Sequence, residues 1–118
     1  MEKRIWKIRI EKNYPEATNH IVLGEVIKTN LMYIEIKCKV FHFKKPTASS
    51  SIFTSQIKTR IFPWHTVSYI TVLDSSLNWE ETKVVLNKTG DIIINVEENN
   101  IKIGTTLGKE EDKSWVDH

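Results

Sequence analysis

The feature that most constrains the fold is a regular alternation of apolar and other residues that begins at Met32. One set of alternating positions carries Met32, Ile34, Ile36, Cys38 and Val40. The other set carries Tyr33, Glu35, Lys37, Lys39 and Phe41. A period of two places these sets on opposite faces of a β-strand, whereas a helix would not keep them apart. The run is long for a flat sheet, so it predicts a strand that curls around a small barrel.

Shorter runs with strand character flank this one. Residues 6–10 alternate in the same way and predict a half-buried strand, which we expect to be an added or edge strand. In the apolar run 21–27, Gly24 indicates a bend or a bulge. Pro63 separates two more runs, 57–62 and 67–73. The fold class predicted from these patterns is mainly β, a small and strongly bent antiparallel barrel.

The chain divides into one domain and a tail. Its 118 residues suit a single domain, which we place at residues 1–107 with its core at 21–73. Residues 84–103 contain apolar runs separated by a turn ending at Gly90, and they predict a C-terminal β-hairpin extension. Residues 108–118 are polar and charged, so we expect a disordered tail.

Charge is unevenly distributed along the chain. Residues 1–73 carry twelve Lys and Arg against five acids, a net of +7. Residues 74–118 carry five Lys against ten acids, a net of −5. This asymmetry has three readings: a basic face for a polyanion, an acidic part that packs on the basic part or on a neighbouring subunit, or a solvated surface with no partner.

The sequence offers little catalytic chemistry. The four glycines are scattered and form no phosphate loop, and the four histidines lack metal-ligand spacing. Cys38 is the sole cysteine, which excludes an internal disulfide and a Cys-based zinc site, and we expect it to be buried. It could pair with His42 or His65 as a nucleophile, yet nothing in the sequence brings them together. We therefore expect a non-enzymatic protein without metal or cofactor.

No run of apolar residues reaches the length of a membrane-spanning helix or follows the basic N-terminus as a signal peptide would. The sequence thus predicts no membrane association and a cytoplasmic location.

Two segments resemble the Sm-like family, which includes Hfq and the LSm proteins. Gly24-Glu25-Val26 followed by Asn30 resembles the first Sm-like motif, and Pro63-Trp64-His65-Thr66-Val67-Ser68 is similar to the second motif of Hfq. The resemblance covers residues 21–73. It implies an Sm-like barrel whose last strand pairs with an edge strand of the next subunit, giving a ring or dimer with Tyr69, Ile70 and Val72 near the seam. Strands 5–10 and 84–103 could instead cover those edges and leave a monomer.

The resemblance also implies single-stranded RNA as a partner. Trp64 stands where Hfq has lysine, so only His65 carries over, with Trp64 either a stacking surface or a packed aromatic. Basic and aromatic residues that could contact RNA are Tyr33, Lys37, Lys39, Phe41, Lys44, Lys45, Arg60, Trp64 and His65. The sequence favours protein interaction or oligomeric assembly as the function, with RNA binding as the alternative.

Overall fold

The chain forms two antiparallel sheets. The structure, a computed structural model, describes residues 3–12, 18–43, 52–86, 91–96 and 99–105. The strands of the first sheet are β1 (Ile5–Ile10), β2 (Asn19–Thr29), β3 (Tyr33–Phe43), β4 (Phe53–Thr54), β5 (Lys58–Pro63) and β6 (Val67–Leu73). Those of the second are β7 (Thr82–Leu86), β8 (Asp91–Val96) and β9 (Asn99–Thr105). Within the described ranges the only helical elements are two 3₁₀ turns, so the mainly β prediction is confirmed.

The first sheet is ordered around the long β2–β3 hairpin. β3 pairs with β2 on one side and with β4 and β5, at different positions, on the other. β1 lies between β2 and β6. Of the two alternatives for the N-terminal strand, the edge strand is wrong, because β1 is paired on both sides. In the described residues β5 and β6 do not pair with each other, so the sheet is not closed.

Gly24 lies at a close approach of β2 to β3. A Cβ atom at this position would stand 2.7 Å from both Cα and Cβ of Cys38 and would collide with the carbonyl oxygen of Lys37. Only glycine fits such an approach without moving the neighbouring strand. Two residues further along, the register between the strands shifts between Val26 and Lys28, as at a β-bulge. The irregularity predicted at Gly24 is thus found as a register shift after Val26, while Gly24 itself is required by the close approach of the two strands.

Apolar clusters cover both faces of the first sheet. The first cluster consists of Ile8, Val22, Val26, Ile34, Ile36, Cys38 and Val40. The second cluster consists of Ile5, Ile21, Leu23, Phe41, Phe43, Ile52, Leu77 and Trp79. The alternation along β3 correctly predicted the burial of the residues that β3 contributes to the first cluster. The residues of the second cluster are buried because later parts of the chain, including Leu77 and Trp79, pack over that face of the sheet.

The C-terminal part packs on the second cluster. After β6, the side chain of Asp74 accepts hydrogen bonds from the backbone N–H and the hydroxyl of Ser76. A 3₁₀ turn at Trp79–Glu81 then buries Trp79. From the second sheet, Val84 and Ile101 contact the same cluster. This sheet has three strands, so the predicted hairpin extends by one further strand, while the predicted tail lies outside the described residues.

Candidate binding surface

Two of the predicted RNA-contacting lysines of β3 are engaged by the acidic C-terminal part. The ammonium group of Lys39 donates to the carbonyl oxygen of Glu80 at 2.6 Å and to the hydroxyl of Thr82 at 2.9 Å. Lys37 forms an ion pair with the Glu80 carboxylate at 3.7 Å. Burial lowers the pKa of Lys39, and the nearby Glu81 and Glu80 partly oppose that shift. Of the three readings of the charge asymmetry, these contacts favour packing of acidic on basic residues.

Tyr33 belongs to the same face and lies at the β2–β3 turn. Its backbone N–H and that of Met32 both donate to the side-chain oxygen of Asn30, which fixes the turn. The ammonium group of Lys28 lies 5.8 Å from the centre of the Tyr33 ring, a cation–π distance. Tyr33 is half-buried and therefore offers only part of its ring to a ligand.

Phe41 cannot act as the stacking surface that we predicted. Its side chain is 1% exposed and packs in the second cluster. The error arises because strand alternation gives the face of a residue and not what covers that face. Lys44 and Lys45, also predicted to contact RNA, lie outside the described residues.

Trp64 and His65 lie in the 3₁₀ turn between β5 and β6. Trp64 is half-buried and packs against the first cluster, and its indole N–H donates to the carbonyl oxygen of Asn30 at 2.6 Å. Its backbone N–H donates to the carbonyl of Met32. These contacts favour the packed aromatic over the stacking surface. His65 is exposed on the same turn.

Arg60 takes part in a cluster that the sequence did not reveal. It lies opposite Ile36 on β3, and its side chain hydrogen-bonds the thiol of Cys38. On the same side of β3, the rings of His42 and His20 meet with their centres 4.3 Å apart. The alternation that begins at Met32, continued by two residues beyond Val40, places His42 on this face, but only the hairpin register sets His20 opposite it.

This cluster does not make Cys38 a nucleophile. Burial raises the pKa of the thiol to about 11, although the positive charge and hydrogen bond of Arg60 act in the other direction. The thiolate, which is the reactive form, is therefore scarce at neutral pH. No group of three or more metal-ligating side chains that could hold an ion occurs in the described part of the chain. Nor does any helix there have the length and apolarity to span a membrane.

Two edges of the first sheet carry exposed apolar side chains. Among the described residues β5 pairs only with β3, and β6 pairs only with β1. Ile61 on β5 is 57% exposed and Val72 on β6 is 71% exposed. A strand edge with unpaired backbone groups and apolar side chains can accept a further strand.

Comparison with protein-family models, curated proteins and solved structures found no match. Functional proposals for this chain therefore depend on its own residues and geometry.

Proposed function

We propose that this chain is a non-enzymatic Sm-like domain that acts through protein interaction, and specifically by assembling with copies of itself. The resemblance to Sm-like proteins implies that the last barrel strand pairs with an edge strand of a neighbouring copy. The strand order supports the proposal because β6, which follows the 3₁₀ turn, ends the first sheet on one side and β5 ends it on the other.

The observation that carries the proposal is the pair of edges on β5 and β6. Each strand has one hydrogen-bonded neighbour in the described part of the chain, and each displays a large apolar side chain, Ile61 or Val72. Pairing between copies would satisfy the backbone groups and bury that apolar surface together. Repetition of such a head-to-tail contact closes into a ring if the rotation between copies permits it, and otherwise continues as an open filament.

Charged substitutions at these edges test the proposal. Light scattering should give the parent chain a mass that is a multiple of the 13.8 kDa monomer. Ile61→Lys and Val72→Lys should each lower that mass, because a charge on an edge strand opposes pairing. Met32→Lys is the matched control, since Met32 is also exposed and apolar but lies in the β2–β3 turn. A parent that stays at 13.8 kDa across micromolar concentrations would remove self-assembly.

RNA binding remains the second candidate, and the Lys28–Tyr33 contact is the observation that favours it. A cation and an aromatic ring lie together there, whereas the acidic segment engages Lys37 and Lys39. Short single-stranded RNA titrated at two salt concentrations tests it, because phosphate contacts weaken as salt rises. Tyr33→Ala should then reduce affinity by about 1–3 kcal/mol, the usual contribution of a base stack. Absence of binding at low salt leaves protein interaction alone.

A further inference from the structure

The register of β2, β3 and β5 places three basic side chains on the same face of the first sheet. His20 and His42 lie opposite each other on β2 and β3, and their rings meet edge to face at 4.3 Å. Arg60 on β5 lies opposite Ile36, and its side chain reaches the Cys38 thiol. Residues directly opposite in antiparallel strands project to the same side, and Ile36, Cys38 and His42 share one side of β3. The three basic groups therefore belong to one face.

The charges that act on His42 are those of two other basic groups, His20 and Arg60. Burial lowers the pKa of both histidines, and for His42 the positive charges of His20 and Arg60 lower it further. No carboxylate of the described residues raises either pKa. Like charges held together without a counter-charge form a place where an anion is stabilised.

Arg60 provides a second and independent observation. Its Nε is buried and makes no hydrogen bond to the described residues. A buried donor without an acceptor costs free energy, so native proteins rarely leave one in place unless a water, an ion or a ligand satisfies it. A guanidinium group is the donor best matched to the oxygens of a phosphate.

An exposed aromatic ring lies beside the histidines. Phe53 on β4 stands opposite His42, with ring centres 5.4 Å apart, and is 63% exposed. Exposed aromatic side chains stack on nucleobases, and the contribution of such a stack is largely independent of the base. The basic cluster and Phe53 thus combine an anion site with a surface for a planar ring.

We propose that His20, His42 and Arg60 bind the phosphate group of a nucleoside phosphomonoester and that its base stacks on Phe53. A phosphomonoester offers several acceptor oxygens and carries close to two negative charges near neutral pH. Two imidazolium groups and one guanidinium group can each donate to a different oxygen. The proposal is independent of self-assembly, so either can fail without the other.

The proposed site predicts a pH dependence of binding. In the described residues the charged or titratable groups on this face include His20 from β2, His42 and Cys38 from β3, and Lys58 and Arg60 from β5, with Arg4 over the Trp6 ring before β1. β4 contributes only Phe53 and Thr54, and the residues of β1 and β6 that pack on this face are apolar. Because burial lowers the pKa of both histidines, binding through their imidazolium forms requires them to take up protons. Affinity should rise as pH falls from about 8 to about 6 and then decline as the phosphate loses its second charge.

Histidine side-chain signals in NMR spectra test the proposal in the unmodified chain. The probes are inorganic phosphate, a nucleoside 5′-monophosphate and the same nucleoside without phosphate, in phosphate-free buffer at pH about 6 and about 8. Both phosphates should shift the signals of His20 and His42 and raise their pKa values, whereas the nucleoside should do neither. Histidine signals that no phosphate compound shifts would overturn the proposal, as would a response to Zn²⁺ alone.

Variants then assign the contacts. Arg60→Gln and His42→Gln should each weaken phosphate binding about tenfold or more, the effect of losing one charged hydrogen bond. Lys83→Gln, at an exposed basic residue of β7 in the second sheet, is the matched control and should bind as the parent does. Equal binding by the parent and Arg60→Gln would contradict the site. If Arg60→Gln does not fold, Arg60→Lys retains the charge without the fork and should still bind more weakly.

The base and the source of the phosphate need separate measurements. The monophosphate should bind about tenfold more tightly than inorganic phosphate, and Phe53→Ala should remove that difference. Equal affinities would contradict the stacking role of Phe53. If the phosphate belongs to the end of an RNA chain, an oligoribonucleotide with a 5′-phosphate should bind this site. The same oligoribonucleotide with a 5′-hydroxyl group should not. If neither oligonucleotide binds, the free nucleotide is the source.

Discussion

Trp64 joins two turns that are more than thirty residues apart. Its indole N–H donates to the carbonyl of Asn30, and its ring packs against the first cluster. Trp64→Ala should lower the free energy of unfolding by about 2–4 kcal/mol, somewhat less than for a fully buried tryptophan. Trp64→Phe keeps the ring and removes only the N–H donor, so it should cost about 1 kcal/mol.

Urea denaturation of the two variants and the parent measures both effects. An alanine variant that unfolds with the parent's midpoint and slope would show that Trp64 does not stabilise the fold. Trp64 would then be available as the stacking surface that its position beside His65 also suggested.

The histidine pair makes stability depend on pH. His20 and His42 titrate below their ordinary value of 6.5 in the folded protein, so folding favours their neutral forms. As pH falls through that ordinary value the unfolded chain takes up protons first, and the free energy of unfolding decreases until the folded histidines are protonated as well. Stability is thus fully present above this range and lost below it.

A double variant, His20→Gln with His42→Gln, isolates this contribution. Urea unfolding in phosphate-free buffer should show the parent losing more stability than the variant between pH about 7.5 and about 5. Carboxylates titrate in both proteins and cancel in the comparison. Parallel pH profiles would contradict the assigned shifts.

Burial of single residues was predictable from the sequence where it depends on strand alternation, and not where it depends on distant parts of the chain. The alternation of apolar side chains predicted the burial of Ile36 and Cys38, because a period of two is a local property of a strand. The same alternation left Phe41 on an exposed face. Phe41 is covered by residues such as Leu77 and Trp79, which are distant in the sequence. The His20–His42 contact was missed for a related reason, since it depends on register and not on spacing.

At the scale of elements, the C-terminal sheet is attached to the first sheet by specific contacts. Lys39 on β3 donates to the start of β7 through Thr82 and to the carbonyl of Glu80. Lys39→Met retains an apolar stem of similar length and removes the donors. We expect faster amide hydrogen exchange in β7 and unchanged exchange in the pairing of β1 with β2, because only the attachment is weakened.

Mass spectrometry of deuterated fragments resolves these segments. Lys28→Met is the matched control, since Lys28 contacts the ring of Tyr33 on β3. If exchange in residues 82–86 is the same in Lys39→Met and in the parent, Lys39 does not hold the second sheet in place.

The elements themselves were largely predictable and their neighbours were not. Runs of alternating residues located β1, β3 and β5, since each run is a local signal. Placing β1 between β2 and β6 required knowledge of pairing across more than sixty residues, as in the contact of Ile5 with Leu73. Topology of this kind depends on the packing of the whole sheet.

At the scale of the whole molecule, the charge distribution and the exposed strand edges both favour assembly over RNA binding. The acidic C-terminal part engages Lys37 and Lys39 and so reduces the basic surface that RNA would need. The edges of β5 and β6, with Ile61 and Val72, remain exposed in the described structure. Assembly through these edges is therefore the central claim.

Amide hydrogen exchange at two protein concentrations tests that claim most directly. If copies pair through these edges, amides of β5 and β6 that do not bond to β3 or β1 should exchange more slowly at the higher concentration. Amides of β2, which is paired on both sides, should exchange at the same rate at both concentrations. Exchange in β5 and β6 that is independent of concentration, in a particle of 13.8 kDa, would contradict assembly through these edges.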